Sequence, residues 1–325
     1  MSDWTSRLDG LLGELEKEIR GAARVVRRTL AGDEPLEVLC YRGYGNGSRA
    51  VIHGRVKRGR TLAPSEAGDS LLTNLRNTYR RVDADPVPLA DVAIEWAGTS
   101  AMLKADDEGF LSGMVQRPSP AQDLPEWGEY HAELVFPAVA TGGPVIATGE
   151  ILVPPSTARF GVISDIDDTV LQSHVSNVIQ AARTVLLGNA RTRLPFAGVA
   201  AFYRALYDGA ARNEHNPVFY VSSSPWNLYD VIAEFMDLQK IPRGPLLLRD
   251  WDIGLGALGA SRHHDHKAAA IRSIMQMYPE LPFILIGDTS QHDPEIYRHI
   301  VEQFPGRIQA IYIRDVTRSA ERSAA

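Results

Sequence analysis

Phe160-Gly161-Val162-Ile163-Ser164-Asp165-Ile166-Asp167-Asp168-Thr169 is a short apolar run that ends in three carboxylates within four residues. A run of this length, preceded by Pro154-Pro155 and enriched in β-branched residues, reads as a strand buried on both faces. Similar apolar runs follow at 218–221, 246–248, 283–286 and 308–313. Between them, helical spacing predicts helices over about 175–187, 199–211, 225–238 and 266–277, and another starting at Pro294. Fully apolar strands alternating with helices imply an α/β fold, a doubly wound parallel sheet covered on both faces.

Ligands of such sheets bind beyond the carboxyl ends of the strands. Asp165-Ile166-Asp167-Asp168-Thr169 follows the first strand, Ser222-Ser223-Ser224-Pro225-Trp226-Asn227 the second, and Gly287-Asp288-Thr289-Ser290-Gln291-His292-Asp293 the fourth. Lys267 is read as opening the helix that precedes the fourth strand. Carboxylates from separate strands repel one another unless a hard divalent cation holds them, and Mg²⁺ suits a few carboxylates completed by water. The set therefore points to phosphoryl transfer. Asp165 would attack phosphorus to give an acyl phosphate, and Asp167 would protonate the leaving oxygen and then take a proton from water. Ser222 and Lys267 would hold the phosphate oxygens.

These segments resemble the four motifs of the haloacid dehalogenase (HAD) superfamily of phosphatases. More narrowly, Ser164-Asp165-Ile166-Asp167-Asp168-Thr169, Tyr220-Val221-Ser222-Ser223-Ser224-Pro225-Trp226, Leu248-Arg249-Asp250-Trp251, His266-Lys267 and the Gly287-Asp288…Asp293-Pro294-Glu295…Tyr297 run are similar to the actin-patch phosphatidate phosphatase family. The resemblance covers about residues 158–315. It implies Mg²⁺-dependent removal of phosphate from phosphatidate to give diacylglycerol. It also implies Mg²⁺ on Asp165, the Asp167 carbonyl and Asp288, with Asp293 behind them or as a further ligand. Thr169 belongs to the first motif. Ser223 stands where a residue such as Asn is expected, which bears on headgroup contacts. Tyr41-Arg42-Gly43-Tyr44-Gly45 and Gly54-Arg55-Val56 are similar, less specifically, to the opening of bacterial relatives.

Ahead of Pro154 the periodicity changes. Leu8, Leu11, Leu12, Leu15, Ile19, Ala23, Val26 and Leu30 recur at helical spacing, predicting an amphipathic helix over about 4–30. Short alternating segments at 36–41, 50–56, 92–96, 110–115, 130–136 and 147–153 then predict an antiparallel β-sandwich. A short helix is expected near 69–82. Asp106-Asp107-Glu108-Gly109 reads as a hairpin turn, and Gly43-Tyr44-Gly45-Asn46-Gly47 as a turn between strands. The division is thus 1–32 for the N-terminal helix, 33–155 for the sandwich-like domain and 156–325 for the HAD-like phosphatase domain. A cap of only twenty to thirty residues, about 170–195, would leave the site open to a bulky substrate or a bilayer.

The 325 residues carry a net charge of −6 and one cysteine, Cys40. The charge argues against a general nucleic-acid binder, and the lone cysteine excludes a disulfide framework. A cytoplasmic protein is expected, with peripheral membrane contact through the basic helix (Lys17, Arg20, Arg24, Arg27, Arg28) as an alternative to that helix docking on the sandwich. Arg55, Lys57, Arg58 and Arg60 read as a solvated strand end. His263 and His264, on an expected loop, are poorly placed to share a metal, and His266 is expected beside the phosphate. Trp226 and Tyr229 read as packing residues. Two alternatives remain: a phosphatase of soluble phosphomonoesters or nucleic-acid ends, and a membrane- or protein-binding module with a vestigial phosphatase fold.

Overall fold

The computed structural model describes residues 35–59, 86–120, 123–137, 143–166, 170, 198–249, 259–289 and 292–315. The helices expected over 4–30, 69–82 and 175–187 lie outside the described residues, as do most of the cap and Asp167 and Thr169.

The C-terminal part forms a five-stranded sheet in the order β11-β10-β9-β12-β13, built from β9 (Gly161–Asp165), β10 (Val218–Pro225), β11 (Leu246–Arg249), β12 (Phe283–Asp288) and β13 (Ile308–Arg314). Every pairing in it is parallel. The strands β9 and β12 are buried along their whole length, because helices cover both faces. Side chains alternate between those faces. Val162, Val218, Tyr220 and Leu246 pack with helices α1 (Val199–Asp208) and α2 (Tyr229–Leu238). Ile163, Phe219, Val221 and Leu285 pack with α3 (Gly259–Met277) and α4 (Asp293–Gln303) on the other side.

The N-terminal part departs from the expected antiparallel sandwich. Eight strands form one continuous sheet in the order β1-β3-β2-β8-β7-β4-β5, with β6 pairing β3, and the β2–β8 pair is parallel. The strands are β1 (Leu36–Cys40), β2 (Gly43–Gly45), β3 (Arg49–Arg58), β4 (Asp91–Trp96), β5 (Thr99–Lys104), β6 (Phe110–Gln116), β7 (Trp127–Phe136) and β8 (Ile146–Leu152). They enclose a core that includes Ile52, Val56, Val92, Ile94, Trp96 and Tyr130. The expected turn at 43–47 is largely the strand β2. Its glycines allow close approach: a Cβ on Gly43 would lie 2.4 Å from the Val51 carbonyl oxygen. Asp106 does close a turn, accepting from the Glu108 and Phe110 amides at 2.9 and 2.8 Å. It is not a hairpin turn, because β6 runs on to pair with β3 rather than back along β5.

The two sheets share their interior. Tyr41 stacks on Trp226 and Tyr229, with ring centroids 5.2 and 4.1 Å apart. The Tyr229 hydroxyl accepts from the Arg42 amide at 2.8 Å, and Tyr44 Oη and Ser273 Oγ are hydrogen-bonded at 2.8 Å. Two members of the basic cluster, Arg55 and Lys57, are correspondingly not on a solvated strand end. Arg55 is buried, donating to Asn227 Oδ1 at 2.7 Å and lying over the Phe110 ring, while Lys57 is buried and paired with Glu37 at 3.4 Å. Covering β3 with the second sheet turned these cations inward.

Candidate active site

Two strand ends, one helix start and the interior of a second helix meet at the carboxyl edge of the parallel sheet. Asp165 ends β9 and Asp288 ends β12, while Asp293 opens α4. Lys267 reaches in from α3, in the interior of that helix rather than at its start. The expected start at 266 is seven residues late, since the polar residues before it carry no apolar stripe although they are helical. The backbones of His263 and His264 are therefore helical too, not in a loop.

Asp165, Lys267, Asp288 and Asp293 are each no more than 2% exposed. Lys267 Nζ donates to Asp165 Oδ1 at 2.9 Å and to Asp293 Oδ1, and Asp293 Oδ2 accepts the Asp288 amide at 3.1 Å. One carboxylate oxygen from each of Asp165, Asp288 and Asp293 lies within 4.8 Å of the others. Gly287 makes this possible, because a Cβ there would lie 2.2 Å from Asp293 Oδ2.

The electrostatics follow from burial. Desolvation alone would lower the Lys267 pKa, but Asp165 and Asp293 outweigh it and the ammonium is held above its ordinary range. Asp293 is raised as well: burial pushes its pKa up, and the Lys267 charge offsets this only in part. Asp165 and Asp293 share the Lys267 ammonium, and Asp288, close beside them, interacts electrostatically with Arg314. Closely spaced, oxygen-only and buried, the donor set fits a hard divalent cation.

Ser222 is fully buried at the end of the regular β10 ladder, where the register with β11 shifts between Val221 and Pro225. Its Oγ accepts the Ser224 amide at 2.9 Å, which fixes the turn, and Ser223 is half-buried. His266 is not in the acidic cluster; it lines a cavity between the two sheets. Trp226 and Tyr229 are buried packing residues, as expected.

Several contributors carry no motif. The Ser164 hydroxyl donates to the Asp165 carbonyl at 2.7 Å and is also hydrogen-bonded to the Tyr203 hydroxyl, so α1 anchors the end of β9. Arg314 pairs with Asp288 across β12 and β13. Burial lowers its pKa, and Tyr203 and Asp288 counter that. The only sequence signal for Arg314 is a cation at the last position of an edge strand.

With this geometry in place, the comparisons with known proteins fall on the same segment. The family described as "Phosphatidate phosphatase APP1, catalytic domain" matches residues 160–315. This segment belongs to that family. Phosphatidate phosphatase APP1 of Saccharomyces cerevisiae is 31% identical over 156 residues, which are 48% of this chain and 26% of the yeast protein. An uncharacterized protein of Schizosaccharomyces pombe is 32% identical over 162 residues, 48% of this chain and 25% of that one. The chain thus spans about a quarter of the length of these relatives. Among solved structures, a carbohydrate acetylesterase from Xanthomonas citri aligns over 84% of this chain and 65% of its own, at 14% identity and a TM-score of 0.26, too low to bear on fold or function. No helix among the described residues is long and apolar enough to cross a membrane.

Proposed function

We propose that this chain is a Mg²⁺-dependent phosphatidate phosphatase of the HAD type, working through an aspartyl-phosphate on Asp165. The observation that carries the reading is the convergence of the Asp165, Asp288 and Asp293 carboxylates around Lys267 at the strand ends of a parallel sheet. The match of residues 160–315 to the phosphatidate phosphatase family supports the substrate.

Asp165, Asp288 and Asp293 would hold the cation. When bound, it supplies the charge neutralisation that lets a phosphate dianion enter an acidic site. Lys267 has two tasks for this chain's own chemistry. Its contact with Asp165 Oδ1 orients the nucleophile, and its permanently charged ammonium is available to the phosphate oxygens. The Ser222 hydroxyl, held beside the Ser224 amide, provides a second phosphate contact. Asp165 attacks phosphorus, and the P–O bond to the glycerol oxygen breaks. Asp167 delivers a proton to that oxygen, then takes one from the water that hydrolyses the acyl phosphate. Tyr203 and Ser164 hold the Asp165 backbone while this happens.

The test is phosphate release from phosphatidate in mixed micelles with Mg²⁺. Release that EDTA removes and Mg²⁺ restores is the expected result. Release from soluble phosphomonoesters alone would sink the lipid reading, and release from neither would favour a binding module.

A further inference from the structure

A cavity of about 560 Å³ lies between the two sheets. One wall is Val51, His53, Leu111 and Ser112 of the N-terminal sheet; the other includes Trp226, Leu248, His266 and Ala270 of the C-terminal part. In sequence, its lining residue His266 immediately precedes Lys267 on α3, and Trp226 immediately follows the end of β10 that carries Ser222.

Most of its polar side chains are already engaged with protein partners. Tyr44 and Ser273 satisfy one another, and the Asp106 carboxylate accepts the amides of its own turn. His53 Nε2 has no hydrogen-bond partner; burial, reinforced by the nearby His266, pushes its pKa down to about 4, so the imidazole is neutral at pH 7. A sugar or nucleotide needs several converging donors and acceptors, and this wall offers few. Its volume lies within the range of roughly 300–1,000 Å³ usual for small-molecule sites, and its lining is that of an apolar ligand.

We propose that this cavity receives an acyl chain of the phosphomonoester whose phosphate is held at Lys267 and Ser222. The inference rests on the phosphatase reading above and extends it: the N-terminal sheet supplies half of the tail-binding wall, which gives that sheet a part in substrate choice. Ala269 and Ser112 both line the cavity and are both exposed, one on each wall, so larger side chains there fill it without entering a packed core.

Two measurements test this. In the first, Ala269→Phe and Ser112→Phe are assayed on long-chain phosphatidate and on p-nitrophenyl phosphate. The expected result is a loss of about tenfold or more in kcat/KM for the lipid with the soluble ester unchanged. Equal effects on both substrates, or none on the lipid, would overturn the proposal. In the second, Asp165→Asn protein is titrated with phosphatidate bearing a nitroxide on its acyl chain. Saturable quenching of tryptophan fluorescence is expected, reduced by Trp226→Phe and by Ala269→Phe. Quenching that is absent, or identical in those variants, would reject the cavity as the tail site. A wild-type protein that hydrolyses neither ester but shows the Trp226-dependent quenching would instead reject the phosphatase reading and leave lipid binding standing.

Discussion

In the N-terminal sheet each buried cation has partners of its own: Lys57 pairs with Glu37, and Arg55 donates to the neutral Asn227 side chain and lies over Phe110. At the edge of the parallel sheet one ammonium, Lys267, is shared by Asp165 and Asp293, with the Asp288 carboxylate close beside them. Both regions bury charge, and burial is costly in each. Arg55 thereby links the two parts of the molecule, while Lys57 and Glu37 tie β3 to β1. The carboxylate cluster relies on Lys267 for compensation, and it is the site proposed to take a cation and a phosphate.

Removing Lys267 should therefore have the largest effect on stability. Lys267→Met leaves Asp165 and Asp293 buried without their counter-charge, and a loss of about 3–5 kcal/mol is expected in urea denaturation, with activity abolished. A Lys267→Met protein as stable as wild type would erase the distinction between the two regions. The interface comes next. Tyr41→Ala removes a ring stacked between Trp226 and Tyr229, and about 3 kcal/mol should be lost in a single unfolding transition. Two separate transitions in the wild-type protein would mean that the sheets do not share a core.

Gly287→Ala sets a Cβ against the Asp293 carboxylate and should cost about 1–3 kcal/mol. It should also weaken Mg²⁺ binding measured by calorimetry, whereas unchanged affinity would remove Asp293 from the cation site. The smallest effect concerns pH. His53 is depressed in the folded protein to about 4, chiefly by burial, while the unfolded chain takes up its proton near 6.5. The folded state thus loses stability as pH falls between those values, by about 1 kcal/mol after allowing for partial exposure. His53→Gln should flatten that part of the stability profile; an unaltered slope would assign it to other groups.

The parallel sheet was legible because strands buried on both faces are apolar throughout, as in Phe283-Ile284-Leu285-Ile286. Asp165, Ser222 and Asp288 were legible with it, since each follows such a run. Strand β5 went unseen: Thr99-Ser100-Ala101-Met102-Leu103-Lys104 is small and only alternately covered, with Met102 57% exposed. The strand β2 was hidden by its own glycines, which serve close packing and not a turn. Arg55 and Lys57 look like surface residues in the sequence, because a covering sheet remote in the chain leaves no local trace. Tyr203 and Arg314 reach the site through tertiary packing alone.

The central claim is that Asp165 carries the phosphoryl group. Wild-type protein is mixed with ³²P-labelled phosphatidate and Mg²⁺, quenched in acid within the first turnover, and digested to locate bound label. Hydroxylamine-labile label is expected on the peptide containing Asp165, and neither label nor phosphate release with Asp165→Asn. Full phosphate release by Asp165→Asn, or label that persists on that variant, would contradict it.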